Sequence, residues 1–357
     1  QNYRSTPQIL ATASGLIDAN SQRLGKTLWT ELPAGDKVRV IGVWDAPEEA
    51  RRVGEDIERL EREGAPLDEI AILVRAQYQT REFEDRFIQI GLNYRIVGGF
   101  RFYERAEIRD ALAYLRVIGQ PADDLAFERI YNQPKRGLGA KTLEAMRRHA
   151  RRTGLPLAAA SLDLVDSDEL PARARNMLTG LLKQFVHWRE AAERETPANL
   201  MRLVLSESGY DDMLAKERSA ESAGRAENLS ELARAMEEYD TLGDFLEHVG
   251  LVMDNDAQGD DEKVTIMTMH AAKGLEFNNV FLPGWEEGVF PSQRALDEGG
   301  LASLEEERRL AYVAITRARR KCTILHAANR RIFGQWTSSI PSRFIEELPD
   351  EHIEQET

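Results

Sequence analysis

The 357-residue chain is too long for one ordinary domain, and 42% hydrophobic content is enough for one large core or two smaller ones, so two domains are expected. With 30% charged residues, a negative mean hydropathy and no apolar run near the roughly 20 residues a membrane span needs, a soluble protein without membrane contact is expected. A net charge of -14 argues against indiscriminate coating of nucleic acid, although a whole-chain sum conceals local patches.

The opening Gln1-Asn2-Tyr3-Arg4 has neither a secretory signal nor an initiator Met, so the chain is expected to start inside a larger protein. From residue 1 to 98, short β-branched runs (Val38 to Val43, Ile70 to Val74, Tyr94 to Val97) alternate with helical stretches. Strands linked through helices pair in parallel, so this is the pattern of an open α/β sheet. From 99 to 262 the strands give way to helical blocks such as Ala106 to Ile118, Leu178 to Arg194 and Ala226 to Tyr239, an all-α unit. Strand-like runs return from 263 to 348 (Val264 to Met269, Val280 to Leu282, Cys322 to Leu325), with an amphipathic helix over Leu304 to Ala318. Residues 349–357 read as an acidic tail.

The economical reading is one α/β domain interrupted by a helical insertion, with joints near 98, after Gly98-Gly99, and near 262, in the polar stretch Asp254 to Glu262. Cys322 is the only cysteine, which leaves no disulfide and no Cys-rich metal site, as in a reducing cytoplasm. Its apolar surroundings suit a core thiol.

Three blocks place charged or aromatic residues against the ends of expected strands, where α/β sheets bind ligands. In Gln1 to Thr6, Tyr3 offers a flat stacking face and Arg4 a five-donor fork for phosphate. In Val264 to Phe277, Thr268, His270 and Lys273 can donate to phosphate oxygens and Glu276 can accept from a sugar hydroxyl, although His270 alone also fits an ordinary strand-end hydrogen bond. In Glu305 to Arg319, helical spacing turns Leu310, Val313 and Ala314 to the core and leaves Arg317 at the far end. A fourth feature is basic: between Arg129 and Arg152 there are eight Lys or Arg residues against the single acid Glu144, and they include Lys135, Arg136 and Lys141.

QNYRST, TMHAAKGLEF followed by GWEEGVFP, and EEERRLAYVAITRAR resemble in order and spacing motifs IV, V and VI of the UvrD/PcrA/Rep family of superfamily 1 DNA helicases, over nearly the whole chain. The resemblance implies a RecA-like, parallel-sheet domain of the P-loop NTPase type that lacks its own P-loop and is interrupted by an all-α insertion. It implies that Tyr3 stacks on the adenine of ATP, that Glu276 contacts the ribose, and that Arg4 and Arg317 reach the γ-phosphate as catalytic arginine fingers. It also puts Thr268, His270 and Lys273 at the backbone of single-stranded DNA and makes Phe333 a base-stacking residue, with a core aromatic as the alternative. Pro134 to Gly139 resembles the family's glycine hairpin, in which Gly137 and Gly139 let backbone N–H groups approach a duplex phosphate beside Lys135, Arg136 and Lys141.

Gly25-Lys26-Thr27 is a false match to a phosphate loop, because the pattern requires Gly where Asn20 stands. No apolar strand ends in paired acids, so no metal site is expected here. The magnesium ligands and phosphate loop are expected in an N-terminal motor domain of the same protein, and this portion alone is expected to be inactive. The function so implied is the C-terminal half of a cytoplasmic, ATP-dependent 3′ to 5′ helicase that acts on single-stranded DNA and single-strand/duplex junctions in repair or replication. A subunit of a helicase-nuclease and a catalytically silent docking module for DNA or protein both remain open.

Overall fold

The computed structural model describes residues 5–20, 30–217, 219–254, 262–332 and 335–356. It divides into two compact units, one of residues 1–102 with 257–357 and one of residues 103–256.

In the first unit, β1 (Val38–Val43), β2 (Ile70–Val74), β3 (Tyr94–Val97), β4 (Val264–Thr268), β5 (Phe277–Leu282), β6 (Ala318–Ala327) and β9 (Ile353–Glu356) form a sheet in the order β3-β4-β2-β5-β6-β1-β9, with every pairing parallel. β7 (Asn329–Ile332) and β8 (Gln335–Ser338) form a separate antiparallel hairpin. The helices are α1 (Pro7–Ile17), α2 (Ala46–Arg62), α3 (Thr80–Ile90), α13 (Gln293–Ile315) and α14 (Arg343–Glu346).

Continuous apolar strands need cover on both faces, and strand alternation deals their side chains to two cores. Ala71 and Leu73 of β2 join Val38, Val40, Val280 and Ile324 against Ile9 and Leu16 of α1 and Ala311 and Ile315 of α13. Ile70, Ile72 and Val74 of the same strand join Ile41, Phe281 and Leu325 against Ile57 of α2 and Phe83 and Phe87 of α3. Because β4 pairs with both β3 and β2, the strands on either side of the insertion lie together in one sheet. That interleaving makes the two chain segments a single α/β unit.

The second unit holds α4 (Ala106–Gly119), α5 (Asp124–Ile130), α6 (Ala140–Thr153), α7 (Leu157–Val165), α8 (Ala172–Ala192), α9 (Pro197–Glu207), α10 (Tyr210–Glu217), α11 (Ala220–Met236) and α12 (Leu242–Asp254). Its core includes an aromatic group in which Phe185 lies 5.1 Å from Trp188 and 6.1 Å from Tyr114, between ring centroids. The buried Trp188 indole donates to Glu207 Oε2 at 2.8 Å.

Two boundaries differ from the sequence reading and one falls where it was expected. The first unit extends to Phe102, past the joint expected near 98, because the Phe102 N–H donates to the buried carboxylate of Glu84 at 3.1 Å. The second division, at 256/257, falls within the polar stretch Asp254 to Glu262 named for that joint, among residues outside the described ones. Residues 353–356, read as acidic tail, form the edge strand β9 instead: Ile353 is buried, and Glu356 forms ion pairs with Arg39 at 2.8 Å and Arg52 at 2.7 Å. Charges suit an edge strand, which is why charge alone misled.

The core face of α13 holds Ala314, with Leu310 packed at its margin, but is centred away from Val313. Ala311, Ala314 and Ile315 are fully buried, while Leu310 and Val313 are only partly covered. The buried stripe continues through Glu307 and Arg308, which are charged but paired. Arg308 reaches Glu347 at 2.7 and 2.8 Å and Asn20 Oδ1 at 2.5 Å, and Glu307 takes a two-pronged pair from Arg75. Asn20, the residue standing where a phosphate loop would have Gly, is thus a buried clamp between the end of α1 and α13.

Candidate functional site

The three sequence blocks meet at the amino ends of β5 and β6. Ser5, which follows Arg4, donates its hydroxyl to Ala318 O at 2.6 Å, and Thr6 N–H donates to Arg319 O at 3.3 Å. Phe277 N–H donates to Arg317 O at 3.0 Å. The largely buried Arg317 guanidinium donates to Val313 O at 3.0 Å, Leu275 O at 3.0 Å and Thr316 Oγ1 at 3.2 Å. Glu276 forms an ion pair with Arg319, and that contact holds the Arg319 guanidinium above its ordinary range. Tyr3 and Arg4 lie outside the described residues.

The second block begins at the opposite, carboxyl end of the strands. β4 and β5 are parallel and flank β2, so residues 269–276 run from the carboxyl end of one to the amino end of the other. At the carboxyl end, Thr268 Oγ1 accepts from Ala271 N–H at 3.3 Å, and His270 and Lys273 are exposed. The imidazole of His270 is held below its ordinary range, first by loss of water around the ring and then by the nearby Arg75 cation, against the opposing pull of Glu307 and Glu306. Strand direction therefore sets Thr268, at the carboxyl end of β4, apart from Arg317 and Glu276 at the amino ends of β6 and β5, with His270 and Lys273 on the connection between.

The hairpin β7–β8 rises from a buried ion cluster. Arg330 donates to Glu286 at 2.8 and 2.5 Å and to Glu49 at 3.2 Å, while the same carboxylates accept from Ala327 N–H and Gly284 N–H. Burial raises the Glu49 carboxyl against the lowering pull of Arg330. The pairing runs to Ile332↔Gln335, which leaves Phe333-Gly334 as connecting residues, and these lie outside the described ones. A buried carboxylate between apolar Trp285 and a turn is the signal in GWEEG that sequence reasoning passed over.

In the helical unit, the loop before α6 is built around Asn132, whose side chain accepts from Arg136 N–H at 2.8 Å and Leu138 N–H at 3.2 Å. Leu138 is fully buried as its anchor. Gly137 has φ +75°, the left-handed region that favours glycine. Gly139 caps α6 without a side chain, and a Cβ at either glycine would meet nothing within 4 Å. Open space therefore lies beside both glycines, and Gly139, Ala140 and Lys141 at the start of α6 are exposed.

The basic residues around this loop separate by surroundings. Arg136 is turned inward, donating to Tyr114 Oη at 2.5 Å and to the carbonyls of Ile130, Pro134 and Ser208. Arg129 pairs with Asp110, Arg147 with Glu128, and Arg148 and Arg152 with Glu169. Lys135, Lys141 and Arg151 are exposed and, among the described residues, have no ion-pair partner. Also among the described residues, no group of three or more His, Cys, Asp or Glu is arranged to hold a metal ion, and no helix is long and apolar enough to cross a membrane.

The model of the UvrD-like helicase C-terminal domain matches residues 1–329. The chain belongs to that family. Similar proteins include a probable DNA helicase II homolog of Rickettsia felis, 49% identical over 98% of this chain and 54% of that protein. DNA helicase II of Escherichia coli is 42% identical over 99% of the chain and 50% of its own length. ATP-dependent DNA helicase PcrA of Staphylococcus epidermidis is 38% identical over 100% and 50%. The chain thus spans about half the length of the curated relatives it matches. In this chain the QNYRST and TRAR segments meet through Ser5, Thr6, Ala318 and Arg319.

Proposed function

We propose that this chain is the C-terminal portion of an ATP-dependent DNA helicase that translocates 3′ to 5′, and that it supplies one wall of an ATP site completed by an N-terminal motor domain. The observation that carries this reading is the convergence of Ser5, Glu276, Arg317 and Arg319 at the amino ends of β5 and β6. A nucleotide lying against that wall meets Glu276 with its ribose and Arg317 with its terminal phosphate, with Tyr3 and Arg4 entering from the segment before Ser5. Arg317 exchanges backbone carbonyls for phosphate oxygens, neutralising charge as the phosphoryl group leaves. Magnesium supplies charge neutralisation on the phosphates and is held by residues of the N-terminal domain.

DNA contacts divide in the same reading. Thr268, His270 and Lys273, with Phe333 as a stacking platform, meet single-stranded DNA. The loop Lys135 to Lys141 meets duplex phosphate at a junction, using exposed Lys135 and Lys141 and the first N–H groups of α6. The test is reconstitution: the isolated chain should hydrolyse ATP no faster than background with single-stranded DNA present, and joining the N-terminal motor domain should restore DNA-stimulated turnover. Turnover by the highly purified isolated chain would overturn the assignment.

A further inference from the structure

We propose that Arg319 is a positioning residue that holds the Glu276 carboxylate aimed at the ribose of the bound nucleotide and so sets the preference for a ribonucleotide. The inference rests on the reading of Glu276 as the ribose contact and adds a second residue to it.

Three observations place Arg319 in that role. Its guanidinium pairs with Glu276 from 43 residues away, across the β5–β6 edge. The register there is irregular: Phe277 faces Ala318 but Asn279 faces Lys321, so two residues of β6, Arg319 and Arg320, stand opposite the single residue Asn278. An extra residue of this kind re-aims side chains and is over-represented beside active sites. Finally, the Arg319 carbonyl accepts from Thr6 N–H, so the backbone that carries this guanidinium is tied to the segment that follows Tyr3 and Arg4.

The physical task is specific. A carboxylate that accepts a sugar hydroxyl must stay ionised and hold one orientation, and an ionised acceptor forms the stronger hydrogen bond. Arg319 Nη2 binds Oε1 of Glu276, which restrains that end of the carboxylate, and Glu69 is the other acid whose charge acts on this guanidinium. The side chains of Arg319 and Glu276 are 40% and 27% exposed, so the pair is partly solvated and adds little to folding stability. Arg319 can therefore be replaced without collapse of the unit.

The experiment uses the intact protein with saturating single-stranded DNA and compares ATP with 2′-deoxy-ATP and 3′-deoxy-ATP. Arg319→Met should raise KM for ATP about tenfold, leave kcat within about twofold, and bring the ribose-over-deoxyribose preference close to one. Arg319→Lys, which keeps the charge but loses the fork, should recover part of the preference. Glu276→Gln should behave like Arg319→Met, and the double variant should lose no more than either single one. Melting temperature should be unchanged in all of them. If Glu276→Gln abolishes the sugar preference while Arg319→Met keeps wild-type KM and preference, the role of Arg319 is overturned and the ribose reading stands. If Glu276→Gln keeps the preference, both fall. Tighter ATP binding by Arg319→Met would also overturn the inference, since the arginine would then be competing with the sugar.

Discussion

In the α/β unit the candidate nucleotide wall is assembled from residues far apart in the chain, whereas the glycine-bearing loop of the helical unit is held by its neighbours. Ser5 and Ala318 are 313 residues apart and Arg319 and Glu276 are 43 apart, yet they share one small network. Around the loop, Asn132 acts on residues four and six positions away, and the Arg136 guanidinium returns to Tyr114, 22 residues back. The wall therefore exists only when the sheet is complete, while the loop is held by Asn132 within it and, through Arg136, by Tyr114 of α4 and the Ser208 carbonyl that follows α9. A substitution in the wall should register as chemistry. In the loop the outcome should depend on whether the residue faces solvent or the interior.

The largest expected effect breaks the comparison on the wall side. In the intact protein Arg317→Ala should lower hydrolysis by about 10³-fold or more, the scale of arginine fingers, and leave single-stranded DNA binding nearly intact. ATPase assays and DNA titration measure the two separately. Parallel loss of hydrolysis and DNA binding would make Arg317 a structural clamp between α13, β6 and Leu275 instead.

Next in size is a contrast within the loop. Replacing Lys135 and Lys141 together by Ala should leave melting unchanged and reduce the magnitude of the salt slope for junction DNA by about 0.9 for each phosphate no longer neutralised. Arg136→Ala should do the reverse, because its hydrogen bonds to Tyr114 and three carbonyls lie inside the fold. Removing a charged group so bonded costs roughly 1.5 to 3 kcal/mol of stability. Unchanged junction affinity and slope in the lysine variant would reduce the basic patch to a solvated face.

That contrast also marks what the sequence could tell. Ile70–Val74 was legible as a buried parallel strand because it is continuously apolar, and Val38–Val43 as a strand because its β-branched residues outnumber Arg39; alternation then deals both to two cores. β9 was illegible because Ile353 is its only buried residue and its Glu356 is satisfied by Arg39 and Arg52, partners more than 300 residues away. Equally, nothing in Lys135-Arg136 reveals that one points to solvent and the other to Tyr114. The stripe of α13 was misread because Glu307 and Arg308 count as polar until Arg75, Asn20 and Glu347 are placed beside them. The blocks were legible by their resemblance. Their division between opposite ends of the strands required strand direction.

The smallest effect sharpens the comparison through pH. His270 sits at the carboxyl end of β4 among Arg75, Glu306 and Glu307, and its imidazole is held below the usual value of 6.5, so it is neutral at pH 7. A phosphate placed against it favours the imidazolium and raises that value in the complex. Binding then takes up a proton at any pH between the depressed free value and the higher bound value, so affinity for single-stranded DNA should rise as pH falls through that window and level off below it. The gain should be several-fold, since a shift of one pKa unit is worth about 1.4 kcal/mol. His270→Gln keeps a neutral hydrogen-bonding side chain and should match the wild type at pH 8 while losing the rise at low pH. Lys135 and Lys141 stay charged throughout that range, so the component of junction binding that their double variant lacks should not change with pH. Identical pH slopes for wild type and His270→Gln on single-stranded DNA would remove His270 from the phosphate track and leave it as a strand-end hydrogen-bonding residue beside the Arg75–Glu307 pair.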